Sequence, residues 1–138
     1  MARSGGPGSF VFGEEEKKEV LEVLEGRYLF RYGAADTEGY THKVVDFEDE
    51  LNKTMGAKYA VATTSGTCSL LASLAALGIG AGDEVIVPGY TFIASISTIM
   101  LPGAIPVLAE IDESLTIDVT KIEELITPRT KAIMPVHM

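Results

Sequence analysis

Apolar positions recur along this chain at two periods, and the changes from one to the other mark its elements. Residues 1–13 are rich in Gly, Pro and Ser and read as an arm, with Phe10, Val11 and Phe12 as anchors. From Glu14 the period is helical. Val20, Leu21, Val23 and Leu24 form a stripe, three glutamates suit the positive end of the helix dipole, and Gly26 is a stop. Arg27 to Lys43 keeps no steady period and holds Tyr28, Phe30, Tyr32 and Tyr40 among glycines. It reads as an ordered loop whose rings are covered by a partner subunit or a ligand. The helical period returns at Val44, Phe47, Leu51 and Met55 and ends at Gly56.

Beyond Gly56, short apolar runs alternate with helical stretches. Strands are expected at 59–63, 84–87, 105–109 and 131–136, and helices at 67–77, 92–101 and 119–126. Short strands alternating with helices mean βαβ units, so the fold class is α/β: three layers, a mostly parallel sheet with helices on both faces. The 67–77 helix is apolar nearly all round (Leu70, Leu71, Ala72, Leu74, Ala75, Ala76, Leu77). Such a helix is buried, so further chain or a second subunit is expected over it.

Composition narrows the function classes. The chain has 138 residues, 46% hydrophobic and 22% charged, enough for a real core. Asp and Glu number 20 against 11 Lys and Arg, a formal charge of −9, which argues against a nucleic-acid groove. The one cysteine, Cys68, has no partner for an internal disulfide, and no cluster has metal-ligand spacing. A reducing, cytoplasmic setting is the default. No run approaches the roughly 18 apolar residues of a membrane span, and no apolar stretch of signal-peptide type follows Met1.

In an open α/β sheet, ligands bind beyond the carboxyl ends of the strands, where helix N-termini point. Three places qualify. At Thr63-Thr64-Ser65-Gly66-Thr67-Cys68 an expected strand runs straight into a helix. There the amides of Gly66, Thr67 and Cys68 would be free donors for a dianion, with the hydroxyls of Ser65 and Thr67 beside them. The plain alternative is that Ser65 or Thr67 only N-caps the helix. No Gly-Lys-Ser/Thr follows Gly66, so this is not a Walker loop. The second place is Pro88–Phe92, where Phe92 either lies against a planar cofactor or fills the core, and Thr91 could cap the helix. The third is His137, closing the last strand as a ligand contact or a satisfied polar residue. Gly78–Gly82 looks like a dinucleotide fingerprint but follows a helix and precedes a strand, the reverse of what that motif needs, so it reads as a C-cap and turn. Cys68 has no basic partner to activate it as a nucleophile.

Five motifs in order, Ser65–Leu70, Ala76–Pro88, Tyr90–Phe92, Gly103–Val107 and Ile126–His137, resemble the DegT/DnrJ/EryC1/StrS family from about Phe12 onward. These are pyridoxal 5′-phosphate (PLP)-dependent aminotransferases of fold type I. The resemblance implies that residues 44–138 are the first part of the transferase large domain, with residues 1–43 as arm, helix and aromatic loop. It implies PLP as cofactor, its phosphate held by Ser65, Gly66, Thr67 and the Cys68 amide, and Phe92 stacked on its ring. It implies a keto-sugar, nucleotide-linked, or a keto-cyclitol as substrate, glutamate or glutamine as amino donor, and a homodimer.

In the family, an Asp that pairs with the cofactor's ring nitrogen and a Lys that forms the Schiff base follow the position of His137. Neither motif is present, and the lysines at 17, 18, 43, 53, 58, 121 and 131 lack that setting. No catalytic residue is therefore assigned. The expectation is the N-terminal part of a sugar or cyclitol aminotransferase, as a truncated chain or one half of a split protein. The alternatives are an inactive fragment serving as a phosphate- or PLP-binding module and an unrelated phosphate-binding enzyme.

Overall fold

The computed structural model describes residues 11–138, so Phe10 and the arm before it lie outside the described residues. The backbone divides into two compact units, one ending at Ala62 and the other spanning Thr63–Met138.

In the first unit, α1 runs Glu14–Gly26 and α2 Lys43–Met55. The Glu16 carboxylate accepts the Gly13 N–H at 2.7 Å and so holds the first turn. Arg27 turns the chain out in the left-handed region at φ 55°, and Gly56 does the same after α2 at φ 63°. Lys43 Nζ bridges Glu19 at 2.6 Å and Glu22 at 2.9 Å, tying the start of α2 to α1. The apolar stripe of α1 stays open: Val20, Leu21 and Leu24 are exposed.

The aromatic loop closes on itself. Gly26 and Gly39 face each other so closely that a Cβ on either would meet the other's carbonyl oxygen, at 2.3 and 2.0 Å. Inside this closure Tyr28 packs on Tyr40 with ring centroids 5.3 Å apart, and the Tyr40 hydroxyl donates to the Arg31 carbonyl at 2.6 Å. Phe30 and Tyr32 meet edge to face and remain exposed.

The strand expected at 59–63 does not form. A strand needs a laddered neighbour, and the sheet of the described residues pairs only β1, β2 and β3. Side chains take the ladder's place at Ala62. Glu48 accepts the Ala62 N–H at 2.6 Å, Arg31 donates to the Ala62 carbonyl at 2.8 Å, and Arg31 and Glu48 are themselves paired. Both backbone groups of Ala62 are thus satisfied without a sheet.

The second unit holds α3 (Gly66–Ala76), β1 (Glu84–Pro88), α4 (Ile93–Met100), β2 (Ile105–Ala109) and β3 (Thr130–Ile133). The strands form a parallel sheet in the order β2-β1-β3. Central β1 is buried along its whole length, as an apolar run covered on both faces requires. Val85 and Val87 pack with Leu74 of α3 and Ile99 of α4 on one face. Ile86 packs with Ala109 and Ile117 on the other, where Ile122 and Leu125 add cover.

Two sequence expectations change here. The helix expected over 119–126 is two 3-10 turns, Val119–Lys121 and Glu123–Leu125. Asp118 accepts both the Thr120 N–H and its hydroxyl, which winds a tight turn, and the β-branched residues of this short stretch do not favour an α-helix. β3 ends at Ile133 instead of reaching 136, and His137 lies four residues past it. One more bond runs from Met134 N–H to the Ile86 carbonyl at 2.8 Å, and Pro135 then has no N–H to extend the ladder. Within this chain the sheet covers one side of α3, where Leu74 is 3% exposed; the other side, with Leu77 just past the helix end 69% exposed, is the one over which the sequence places further chain or a second subunit.

Candidate cofactor-binding site

The turn into α3 is held entirely by local hydrogen bonds. Ser65, extended at φ −163°, is the N-cap, and its Oγ accepts the Cys68 N–H at 3.2 Å. The capping reading of Ser65 is therefore correct as far as it goes. It also bears on the donor set, because in this structure the Cys68 amide is engaged by Ser65. The N–H groups of Gly66 and Thr67 have no acceptor among the described residues. They are the two donors left at the positive end of the α3 dipole.

Gly66 lies outside the left-handed region, and a Cβ built on it would meet nothing within 4 Å. Neither backbone conformation nor crowding in this chain calls for glycine there. What its missing side chain provides is a bare peptide facing open space.

That space is an open recess of about 430 Å³ lined by Gly66, Thr67 and Leu70 of α3 and by Phe92, Ala94 and Ser95 at the start of α4. Two of the three sequence-level candidates are thus one place. β1 delivers its chain through Pro88–Phe92 into α4, and α4 packs beside α3, so the two helix starts share an edge. Phe92 is 73% exposed, a ring presented at the recess and not a core residue. Thr91 does not cap α4: its hydroxyl pairs with that of Ser95 at 2.9 Å. His137 is exposed and does not line the recess.

Cys68 is exposed, and the hydroxyls of Ser65 and then Thr64 hold its thiol below the ordinary value. The Thr64 hydroxyl lies 3.4 Å from Sγ. Leu70 and Ser95 went unrecognised in the sequence. Their signal is phase: Leu70 follows Gly66 and Thr67 by four and three residues, and Ser95 follows Phe92 by three, so each sits on the face of its partner.

The parallel α/β sheet with its helices has the fold of the fold type I aminotransferases, to whose solved structures it is similar. The chain belongs to the DegT/DnrJ/EryC1/StrS aminotransferase family, whose model matches residues 12–138. It is 46% identical over 128 residues to the spore coat polysaccharide biosynthesis protein SpsC of Bacillus subtilis (strain 168), covering 92% of this chain and 31% of that protein. It is 43% identical over 124 residues to GDP-perosamine synthase of Caulobacter vibrioides, covering 89% and 31%. Among solved structures it is similar to NtdA from Bacillus subtilis with bound cofactor PMP (35% identity, TM-score 0.72, covering 88% of this chain and 28% of that one). The chain spans about a third of the length of the curated relatives it matches.

The residues present fit the cofactor's phosphate end. Gly66 leaves room where a Cβ would stand, two amides lack acceptors, and a ring lines the same recess. No helix of the described residues is long and apolar enough to cross a membrane.

Proposed function

We propose that this chain supplies the cofactor-phosphate end of a PLP-dependent aminotransferase. The reaction moves an amino group from glutamate or glutamine to a keto-sugar, nucleotide-linked, or to a keto-cyclitol, in a homodimer. The observation that carries this is the shared recess: the free Gly66 and Thr67 amides and the Phe92 ring line one space, and Gly66 leaves it open. The sugar half of the reading is supported by a relative that is a GDP-perosamine synthase. The homodimer is supported by the large apolar residues left exposed on α1 and the aromatic loop.

When bound, PLP acts as the electron sink for amino-group exchange. The part played by these residues is to bind and orient. The Gly66 and Thr67 amides hold the phosphate in the α3 dipole, which fixes the cofactor at one end. The Thr67 hydroxyl adds a donor beside them. Phe92, which lines the same recess, would stack on the cofactor ring and keep water from that side.

Proton transfer at the reacting carbon needs a lysine. Within Thr63–Met138, Lys121 is near Glu124 and Lys131 stands on β3, neither lining the recess, and the lysines at 17, 18, 43, 53 and 58 lack the family's Schiff-base setting in the sequence. Residues 1–138 alone are therefore expected to bind PLP without transaminase activity. Titration of the chain with PLP, followed by borohydride reduction and peptide mapping, tests both halves. Saturable binding with no lysine modified stoichiometrically is the expected result. A single lysine of this chain trapped in full would overturn the assignment of roles, and phosphate binding without any PLP absorbance change would favour a plain phosphate-binding module.

A further inference from the structure

The Ser65 carbonyl and the Gly66 N–H belong to one planar trans peptide, so whatever holds the carbonyl also aims the N–H. Donors crowd that carbonyl. The Ser69 N–H reaches it at 3.0 Å, Thr63 Oγ1 lies 2.9 Å away and Ser69 Oγ 3.3 Å, and the two hydroxyl oxygens are 2.6 Å apart. Two hydroxyl protons serve these three contacts. Whichever hydroxyl donates to the carbonyl, the other donates to its fellow, so one proton fills the carbonyl's second acceptor site and the other closes the pair.

Capping does not explain this arrangement, because the cap is already complete in the bond from the Cys68 N–H to Ser65 Oγ. Nor does polar satisfaction: Thr63 and Ser69 are exposed, and water would serve either hydroxyl. What the pair adds is a fixed Ser65–Gly66 peptide plane.

We propose that Thr63 and Ser69 are positioning residues that lock this peptide so that the Gly66 N–H stays aimed at the cofactor phosphate. Neither residue lines the recess; they act through the peptide plane. The inference deepens the cofactor-phosphate reading above and rests on it.

The test uses the intact chain with PLP and with pyridoxal, which lacks the phosphate, for wild type, Thr63→Val, Ser69→Ala and Thr63→Ser. PLP affinity should fall on the order of three- to tenfold in Thr63→Val and Ser69→Ala, the scale of one hydrogen bond. Pyridoxal affinity should not change, and Thr63→Ser should behave as wild type. An equal fall for PLP and pyridoxal, or unchanged PLP affinity, overturns the proposal. A wild-type chain that does not prefer PLP over pyridoxal overturns the cofactor-phosphate reading instead. In that case the ligand-free chain still decides the peptide lock. The order parameter of the Gly66 N–H should drop in both variants, and an unchanged value sinks it.

Discussion

Gly66 and Phe92 separate binding from folding at the scale of single residues. A methyl at Gly66 clashes with nothing in the chain and sits in the first turn of a helix, where alanine is no worse than glycine. It would, however, occupy the recess. Gly66→Ala should therefore leave the melting temperature unchanged or slightly raised while PLP affinity falls by about tenfold or more, an effect equal to losing one charge-assisted hydrogen bond. A PLP titration beside a thermal melt checks it, and parallel losses in both would refute it. Phe92→Ala should cost under about 0.5 kcal/mol of stability, since the ring is exposed. In PLP binding it should cost about 0.5–1.5 kcal/mol for the lost ring contact, read in the same titration. Both residues were legible in the sequence as positions at strand-to-helix joints. What the sequence could not show was that the two joints are one site, because that follows from α3 and α4 lying side by side. The bond from the Cys68 amide to Ser65 was not legible for a local reason: whether Ser65 turns its hydroxyl inward to cap or outward to a ligand is a rotamer choice, invisible in composition.

The elements divide by how many neighbours they have. α3 has one covered side, so its apolar residues are not equivalent. Leu74→Ala should destabilise by about 2–5 kcal/mol through a cavity against Val85, Val87 and Ile99. Leu77→Ala, at an exposed position, should change stability by less than about 0.5 kcal/mol. Urea denaturation of the two variants measures the contrast, and similar losses would mean that the outer side of α3 is covered after all. Periodicity located α1 to α4, β1 and β2 closely, because each is long enough or apolar enough for its pattern to dominate; it overran β3, which stops short of Pro135. It failed where an element depends on something outside itself. Residues 59–63 have the composition of a strand but no laddered neighbour, and 119–126 have a helical spacing but an Asp118 turn that starts a tighter winding.

For the molecule as a whole, acid is the informative variable. Glu84 is buried at the start of β1, where the Thr127 hydroxyl donates to it at 2.5 Å and the Arg129 guanidinium pairs with it. The Thr127 hydroxyl above all, with Arg129, outweighs burial and holds its carboxyl below the ordinary value. A carboxyl whose folded pKa lies below its unfolded one gives stability that is complete above the unfolded value, about 4.3. That stability is lost as pH falls through the folded value. Glu16, Glu19 and Asp118 shift the same way, so stability should decline steadily on the acid side. Glu84→Gln should be less stable than wild type near neutrality and show a shallower acid decline, seen as urea midpoints converging at low pH. Parallel curves would mean that this carboxylate carries no linkage.

The pair that satisfies Ala62 has a consequence for how the first unit comes apart. A sheet ladder is indifferent to the charge of a denaturant, but Arg31 and Glu48 are not. Guanidinium chloride brings ionic screening and a cation that is itself an arginine head group, competing for Glu48, whereas urea brings neither. The stretch around Ala62 should therefore lose amide protection at guanidinium concentrations that leave the core of β1 protected, while in urea the two should fail closer together. The choice of denaturant would then decide whether this chain is seen to unfold in one step or two.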